Sequence, residues 1–279
     1  MTVLVTGVNG QLGHDLQQVF TQAGFQVIGT TRQTLDLEQP EQILEKVQQL
    51  QPKIILHAAA DTNVDNCEAQ PDRAFLVNAL ATRSLAVAAA EVGAKLVYFS
   101  TDYVFNGTKG APYKEWDTPA PMSVYGHSKW VGEEMVKSFA TKWFIVRTSW
   151  VFGVNGRNFI KTILNAAQEK EKLQIVSDQV GSPTFSWDLA EFALELTGTQ
   201  KYGIYHCTNT GYCSWYDLAQ FALAEKQIHH VQLEKVDTAS LGRPAPRPLY
   251  SVLDNYVSRI EGFSQLPSWQ EAVQRFLGI

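Results

Sequence analysis

The first twenty residues constrain the fold of this chain more than any other stretch. Residues 1–5 are a short run rich in β-branched side chains and read as a buried strand. Thr6-Gly7-Val8-Asn9-Gly10-Gln11-Leu12-Gly13 follows at once, and Leu12, Leu16, Val19 and Phe20 then recur at helical spacing. A strand, a glycine-rich turn and a helix in that order open a dinucleotide-binding α/β fold. Gly7 permits the tight turn, Gly10 lets a pyrophosphate approach the backbone, and Gly13 lets helix and strand pack closely. The helix N-terminus then offers unpaired N–H groups and a partial positive charge to the phosphates. Gly7, Asn9, Gly10, Gln11, Leu12 and Gly13 are therefore the expected cofactor cradle. The spacing is GxxGxxG, not the GxGxxG of the Rossmann dehydrogenases.

Further strand-like runs at 27–29, 53–57, 95–100 and 144–147 alternate with helix-like runs at 40–50, 73–92 and around Tyr125. Alternation of this kind implies a doubly wound parallel sheet covered on both faces. After Trp150 the pattern changes. Gly153, Asn155, Gly156 and Asn158 mark a loop, 159–169 reads as a helix, and Pro244, Pro246 and Pro248 interrupt the last part. Residues 1–150 are thus expected to form the cofactor domain and 151–279 a smaller substrate-binding portion, with an approximate boundary.

Composition narrows the partners. The net charge is −5 with no basic run, which argues against nucleic acid. No continuous apolar stretch approaches the roughly 20 residues that span a membrane. With the first strand beginning almost at Met1, no signal peptide is expected. Cys67, Cys207 and Cys213 are odd in number and unclustered, so reduced thiols, no metal site and a cytoplasmic location are expected.

Two features carry chemistry. Tyr125 and Lys129 lie four residues apart, one helical turn on one face. A phenol titrates near 10, so proton exchange near neutral pH needs about 4 kcal/mol of help. A nearby ammonium shielded from water supplies it by favouring the phenolate. Upstream, the apolar run 96–99 ends in Ser100-Thr101, and ligands bind at the carboxyl ends of such strands. Thr101 can hold a carbonyl oxygen there while Tyr125 protonates it. Cofactor choice is read after the second strand, where Gly29-Thr30-Thr31-Arg32 contains no carboxylate. Arg32 suits a 2′-phosphate, which favours NADPH without excluding NADH.

These features together resemble the extended short-chain dehydrogenase/reductase superfamily, and within it the dTDP-4-dehydrorhamnose reductases. The resemblance spans essentially the whole chain. It also rests on Ile55-Leu56-His57-Ala58-Ala59-Ala60, Ser100-Thr101-Asp102-Tyr103-Val104-Phe105 and Arg147-Thr148-Ser149-Trp150-Val151. Asp178-Gln179-Val180-Gly181-Ser182-Pro183-Thr184 and Arg247-Pro248 with Ser251 and Asp254 complete it. It implies NADPH-dependent reduction of the carbon 4 ketone of dTDP-4-dehydro-L-rhamnose. A reductase or epimerase of another nucleotide sugar is the alternative enzyme. A regulatory subunit like the β subunit of methionine adenosyltransferase is the alternative of another class. Thr101, Tyr125 and Lys129 are the implied catalytic residues, with Lys129 lowering the phenol pKa and holding the nicotinamide ribose.

The resemblance places Asp36 and Leu37 near the adenine, Ala58, Ala59 and Ala60 against ribose or pyrophosphate, and Asn78 behind the lysine. Thr62, Val64, Asp65, Asp102, Tyr103 and Trp150 are expected around the deoxysugar, and Arg247 on the diphosphate. Related dehydratases carry a second acid where Tyr103 stands, so elimination of water is disfavoured. Some members of the family form dimers bridged by magnesium. Here Asp15 matches one such carboxylate, Trp187 with the adjacent Asp188 falls at the second, and Phe276-Leu277-Gly278-Ile279 offers no third. A magnesium-independent monomer or weak homodimer is therefore expected.

Overall fold

The computed structural model describes residues 1–279. Six strands form one parallel sheet: β1 (Thr2–Thr6), β2 (Gln26–Thr30), β3 (Ile54–His57), β4 (Lys95–Thr101), β5 (Trp143–Thr148) and β6 (Gly203–His206). Their order is β2-β1-β3-β4-β5-β6. The doubly wound α/β architecture expected from the sequence is the one found. The winding reverses at β1, with β2 on one side and β3 on the other. Open α/β sheets bind ligands at such a switch point, beyond the carboxyl ends of the strands. There Thr6 leads into the glycine turn and His57 into the alanine triplet.

Successive side chains point to opposite faces of a sheet. Val3 and Val5 join Leu16, Phe20, Leu56 and Val97 in the core of one face. Leu4 joins Ile43, Ile55, Leu85 and Leu96 on the other. Helix α1 (Gln11–Gln22) covers the first face, and α2 (Pro40–Leu50), α3 (Ala81–Val92) and α4 (Val124–Phe139) cover the second.

Beyond residue 150 lie α5 (Phe159–Glu169), α6 (Ser186–Thr197) and α7 (Trp215–Glu225). Ile163 and Ala167 of α5 meet Ala219 and Leu223 of α7 in a smaller core, beside a parallel pair of strands, Lys172–Val176 and Gln232–Val236. Helix α6 instead lays Leu189, Phe192 and Leu196 on the α1 face of the large sheet, and β6 pairs with β5. The later residues thus complete the larger layer as well as forming a smaller one.

The helical run expected at 73–92 starts at Pro71 and contains a π turn, Leu76–Leu80. Such turns interrupt the regular ladder at single positions. This one accompanies the burial of Asn78. Pro71–Val92 is 22 residues long and by length and composition alone could cross a membrane, contrary to the sequence expectation. Its most apolar window is 50% buried within the protein, and Leu85, Ala86 and Ala89 pack into the sheet's second face.

Two charges lie fully inside. Arg147 on β5 donates from Nε and Nη2 to Glu133 on α4, at 2.8 and 2.7 Å. Ser100 Oγ donates to the same carboxylate at 2.6 Å. Removing one partner of a buried pair leaves a lone charge, at a cost of about 3–5 kcal/mol. Arg147→Met should lose that much in urea unfolding. Adding Glu133→Leu should restore at least half, because no charge is then stranded. A double variant no more stable than the single one would show that packing, not charge, sets the loss.

Candidate active site

A cavity of about 610 Å³ opens over the switch point. One end is made of backbone. Gly7 has φ +75°, and a Cβ there would lie 2.9 Å from Ala59 Cα. The turn after β1 is therefore pressed against the triplet after β3. At Gly13 a Cβ would meet Gly7 O at 2.1 Å, so α1 starts in contact with the turn. No side chain caps α1 at Gly10, which leaves first-turn N–H groups for an anion. Gly7, Gly10, Gln11, Leu12, Gly13, Ala58, Ala59 and Ala60 all line the cavity. Asn9 does not; its carbonyl accepts from Asn155 Nδ2 at 3.0 Å. Asn158 Nδ2 donates to Gln11 Oε1 at 3.0 Å. The loop after Trp150 thus braces the glycine turn, a role that its turn-forming composition gave no reason to expect.

Arg32, Asp36 and Leu37 line the far end. The strand end itself, Gly29 to Arg32, carries no carboxylate, but two lie just beyond it. The chain turns after β2 and brings Asp36 and Glu38 beside Arg32, and Arg32 Nη2 donates to Glu38 at 2.7 Å. Arg73 also bonds Glu38, at 3.1 Å, and continues to Asp61. Asn78 lies behind the wall rather than in it. Its side chain bonds the Asp61 backbone N–H and carbonyl, at 2.8 and 3.0 Å, and Ser128 Oγ at 3.0 Å. No direct bond joins it to Lys129.

The other end is made of side chains: Thr101, Asp102, Tyr125, Lys129 and Trp150, with Thr62 at the side. Thr101 closes β4 and caps the next turn by accepting from Tyr103 N–H at 3.2 Å. Asp102 is buried, bonded by Ser251 Oγ at 2.5 Å and Thr101 Oγ1 at 3.2 Å. Burial pushes its carboxyl up to about 7, against those bonds. Lys129 Nζ donates to Phe99 O at 2.7 Å and lies 4.0 Å from the Tyr98 ring centre. Burial pulls this amine down to about 7, while Glu133 opposes the shift. Burial also raises the Tyr125 phenol well above its ordinary value, against a hydrogen bond from Thr101. No hydrogen bond joins Lys129 to Tyr125; the amine bonds Phe99 O instead. The dry surroundings disfavour the charged form of both groups, and the amine is directed at a carbonyl.

Tyr103 packs edge-on to Tyr125, ring centres 5.7 Å apart, without lining the cavity. Val64 and Asp65 begin a short helix outside it. Arg247, expected to be free for a diphosphate, makes a two-pronged pair with Asp65 at 3.0 and 2.9 Å. That guanidinium holds the Asp65 carboxyl down at about 2. Trp150 has φ +48°, a left-handed conformation that costs a non-glycine residue of order 1–3 kcal/mol. Thr148 Oγ1 is a buried hydroxyl of the cavity wall with no hydrogen-bond partner. It ends β5 beside Thr101 at the end of β4, so its place at a strand end is the signal that could have found it. Of the carboxylates considered for magnesium, Asp15 accepts from Ser186 and Asp188 pairs with Arg275 and Asn209.

A glycine turn at the switch point, facing a Thr101, Tyr125 and Lys129 cluster across one cavity, defines an extended short-chain dehydrogenase/reductase. Comparison with known proteins narrows this. The sequence model of the RmlD substrate binding domain matches residues 1–279, and the chain belongs to that family. It is 36% identical to dTDP-4-dehydrorhamnose reductase of Escherichia coli K12, over 99% of this chain and 97% of that one. It is 40% identical to the spore coat polysaccharide biosynthesis protein SpsK of Bacillus subtilis, over 99% and 96%. The crystal structure of dTDP-4-dehydrorhamnose reductase from Bacillus anthracis in complex with NADP superposes with a TM-score of 0.96 at 42% identity, covering 99% and 98%.

The buried amine gives a test by pH. Lys129 titrates near 10.5 when unfolded and near 7 when folded. Between those values the unfolded chain binds the extra proton, so stability rises with pH; below about 7 the whole penalty applies. Lys129→Met should therefore melt higher than the parent at about pH 6 and lose that advantage by about pH 10. The same difference in Tm at both pH values would show that the amine does not titrate in this range.

Proposed function

We propose that the protein reduces the carbon 4 ketone of dTDP-4-dehydro-L-rhamnose to dTDP-L-rhamnose with NADPH. The observation that carries this reading is the meeting of Thr101, Tyr125 and Lys129 at one end of a cavity whose other end is an uncapped helix N-terminus. The residues present fit the cofactor. Gly7 and Gly13 let the turn close on Ala59 and α1 start against the turn, which leaves the uncapped N-terminus of α1 at the cavity, and Thr148 offers an unpaired hydroxyl within the same cavity. Gly7, Gly10, Gln11, Leu12 and Gly13 would hold the pyrophosphate, Ala58 to Ala60 the adjoining ribose, and Lys129 the nicotinamide ribose. Bound NADPH supplies the hydride.

The chain's own groups handle the oxygen. Thr101 turns its single hydroxyl proton from Asp102 to the ketone oxygen, and the bond strengthens as negative charge grows there. Tyr125 gives that oxygen a proton. Trp150 offers an aromatic face to the methyl edge of the sugar. Asp102 holds Thr101, and Tyr103 fills the position where a dehydratase needs its second acid. No step requires a metal, and the carboxylates Asp15 and Asp188 are already engaged within the chain. Magnesium independence, and a monomer or weak homodimer, belong to this reading. So does the cytoplasm, where NADPH and nucleotide sugars are made. The names of the reductase relatives and the NADP complex support the reaction and cofactor.

Incubation with NADPH and enzymatically generated dTDP-4-dehydrorhamnose, in EDTA, should yield dTDP-L-rhamnose with matching loss of absorbance at the reduced nicotinamide band. Tyr125→Phe should remove most turnover, roughly 10²–10⁴-fold, and leave NADPH affinity nearly intact. No product, or product only after magnesium is returned, would overturn the assignment. A Tyr125→Phe enzyme of normal rate would overturn the proton donor.

Arg32 is 64% exposed and must leave Glu38 to meet a 2′-phosphate. Arg32→Ala should weaken NADPH by the low end of roughly 1.5–3 kcal/mol and hardly affect NADH. Equal losses for the two cofactors, read by fluorescence titration, would make Arg32 structural.

A further inference from the structure

The segment Asp178 to Thr184 carries much of the family resemblance, yet none of its residues lines the cavity or enters the reaction described above. Its geometry converges on Trp150. A Cβ at Gly181 would lie 2.6 Å from Trp150 Cε2 and 2.8 Å from Cζ2 and Nε1, so only glycine leaves room for the indole. One face of that indole stacks on Trp215, with ring centres 3.5 Å apart and planes 8° apart. Trp215 is in turn held by its Nε1, which donates to Gln179 Oε1 at 3.1 Å. The backbone is gripped as well. Thr184 N–H donates to Trp150 O at 3.3 Å, Val151 pairs with Thr184, and Ser149 Oγ donates to Ser182 O at 2.5 Å.

We propose that Gly181 and Trp215 are positioning residues that form a slot for Trp150, presetting its indole for the deoxysugar. This rests on the reading of Trp150 as a substrate contact. A tryptophan at φ +48° does not hold that conformation by its own preference. Something around it must over-determine the geometry, and the slot does so on three sides: the missing Cβ of Gly181, the Trp215 face and the Thr184 N–H. Preordering a large aromatic surface before the ligand arrives removes an ordering cost from binding. Its effect should therefore fall on substrate affinity rather than on the chemical step or the cofactor. The small portion, α7 included, would then act on the sugar subsite through Trp215 without touching the sugar.

The test compares Gly181→Ala, Trp215→Ala, Trp215→Phe and Trp150→Ala. In the parent, the stacked indoles should give an exciton couplet in far-ultraviolet circular dichroism that Trp150→Ala abolishes. Gly181→Ala and Trp215→Ala should each lose the couplet and raise KM for the sugar nucleotide roughly tenfold. Their kcat and NADPH affinity should stay within about twofold of the parent. Trp215→Phe, which keeps a stacking ring, should recover most of the KM. If Trp150→Ala raises KM while Gly181→Ala and Trp215→Ala do not, the slot is wrong and the substrate role of Trp150 stands. If Trp150→Ala leaves KM unchanged, that role falls and the slot with it. Parallel losses in kcat, NADPH affinity and KM would reduce both residues to general structure and overturn the proposal. Gly181→Ala may be replaced by the Trp215 pair if it does not fold, since either Trp215 variant reads the same slot.

Discussion

The buried pair between Glu133 and Arg147 is the constraint on which the chemical end of the cavity depends. It joins α4 to β5, and Ser100 ties β4 to the same carboxylate. Tyr125, Lys129 and Glu133 follow one another at intervals of four along α4, so fixing Glu133 fixes the whole stripe. Thr101, next to Ser100, is then held opposite Tyr125. A buried ion pair is weak evidence for net stability, because desolvation offsets most of its attraction. Its value here is orientation. A hydrophobic pair could fill the same volume, but it would not dictate how α4 is rotated and shifted against the sheet. The carboxylate also opposes the loss of charge that burial imposes on Lys129 one turn away.

The two ends of the cavity are built on opposite principles. At the phosphate end the recognising groups are backbone N–H, and the side chains have been reduced to nothing, as Gly7 and Ala59 show by their contact. Such a surface cannot be tuned by rotamers, so it suits a ligand part that is the same in every turnover. At the other end the groups are side chains, each fixed by something behind it. Asp102 is held by Ser251, Lys129 by Phe99 O, Tyr125 by the burial of its helix and Trp150 by Trp215. Ser251 and Trp215 come from beyond residue 150, so the later part of the chain supports side chains at this end of the cavity.

Much of this was legible in the sequence. The glycine turn, the strands at the switch point and the helix at 40–50 are local patterns, and local patterns are what periodicity reads. Edge strand β6 was missed because Gly203-Ile204-Tyr205-His206 is short and shows no clear alternation. Glu38 beside Arg32 was missed for another reason: it reaches the guanidinium through a turn in the chain, which a scan of the strand end does not see. Arg247 was read as free because a sequence shows a guanidinium but not the Asp65 that faces it across 182 positions. Trp150 was found, but its strained backbone and its slot were not, since nothing in a string of letters marks a positive φ at tryptophan.

The burial of Tyr125 bears on the role proposed for Lys129. Lowering a phenol is needed by an enzyme that must start from the phenolate, as in alcohol oxidation. Ketone reduction starts from the phenol, and burial keeps Tyr125 in that form throughout the neutral range. The proton moves only when hydride has arrived and the ketone oxygen has become alkoxide-like. The charge that develops on the ketone oxygen, not a lowered phenol, then draws the proton across. What must then be stabilised is the phenolate left behind in a dry site, where a lone negative charge is costly. Lys129 stands one helical turn away on the same face, with an amine poised near 7. A developing phenolate would favour the charged form of that amine, and the ammonium in turn offsets the phenolate. On this account Lys129 acts on the product side of the proton transfer, and the depressed amine and the raised phenol are two consequences of one dry wall.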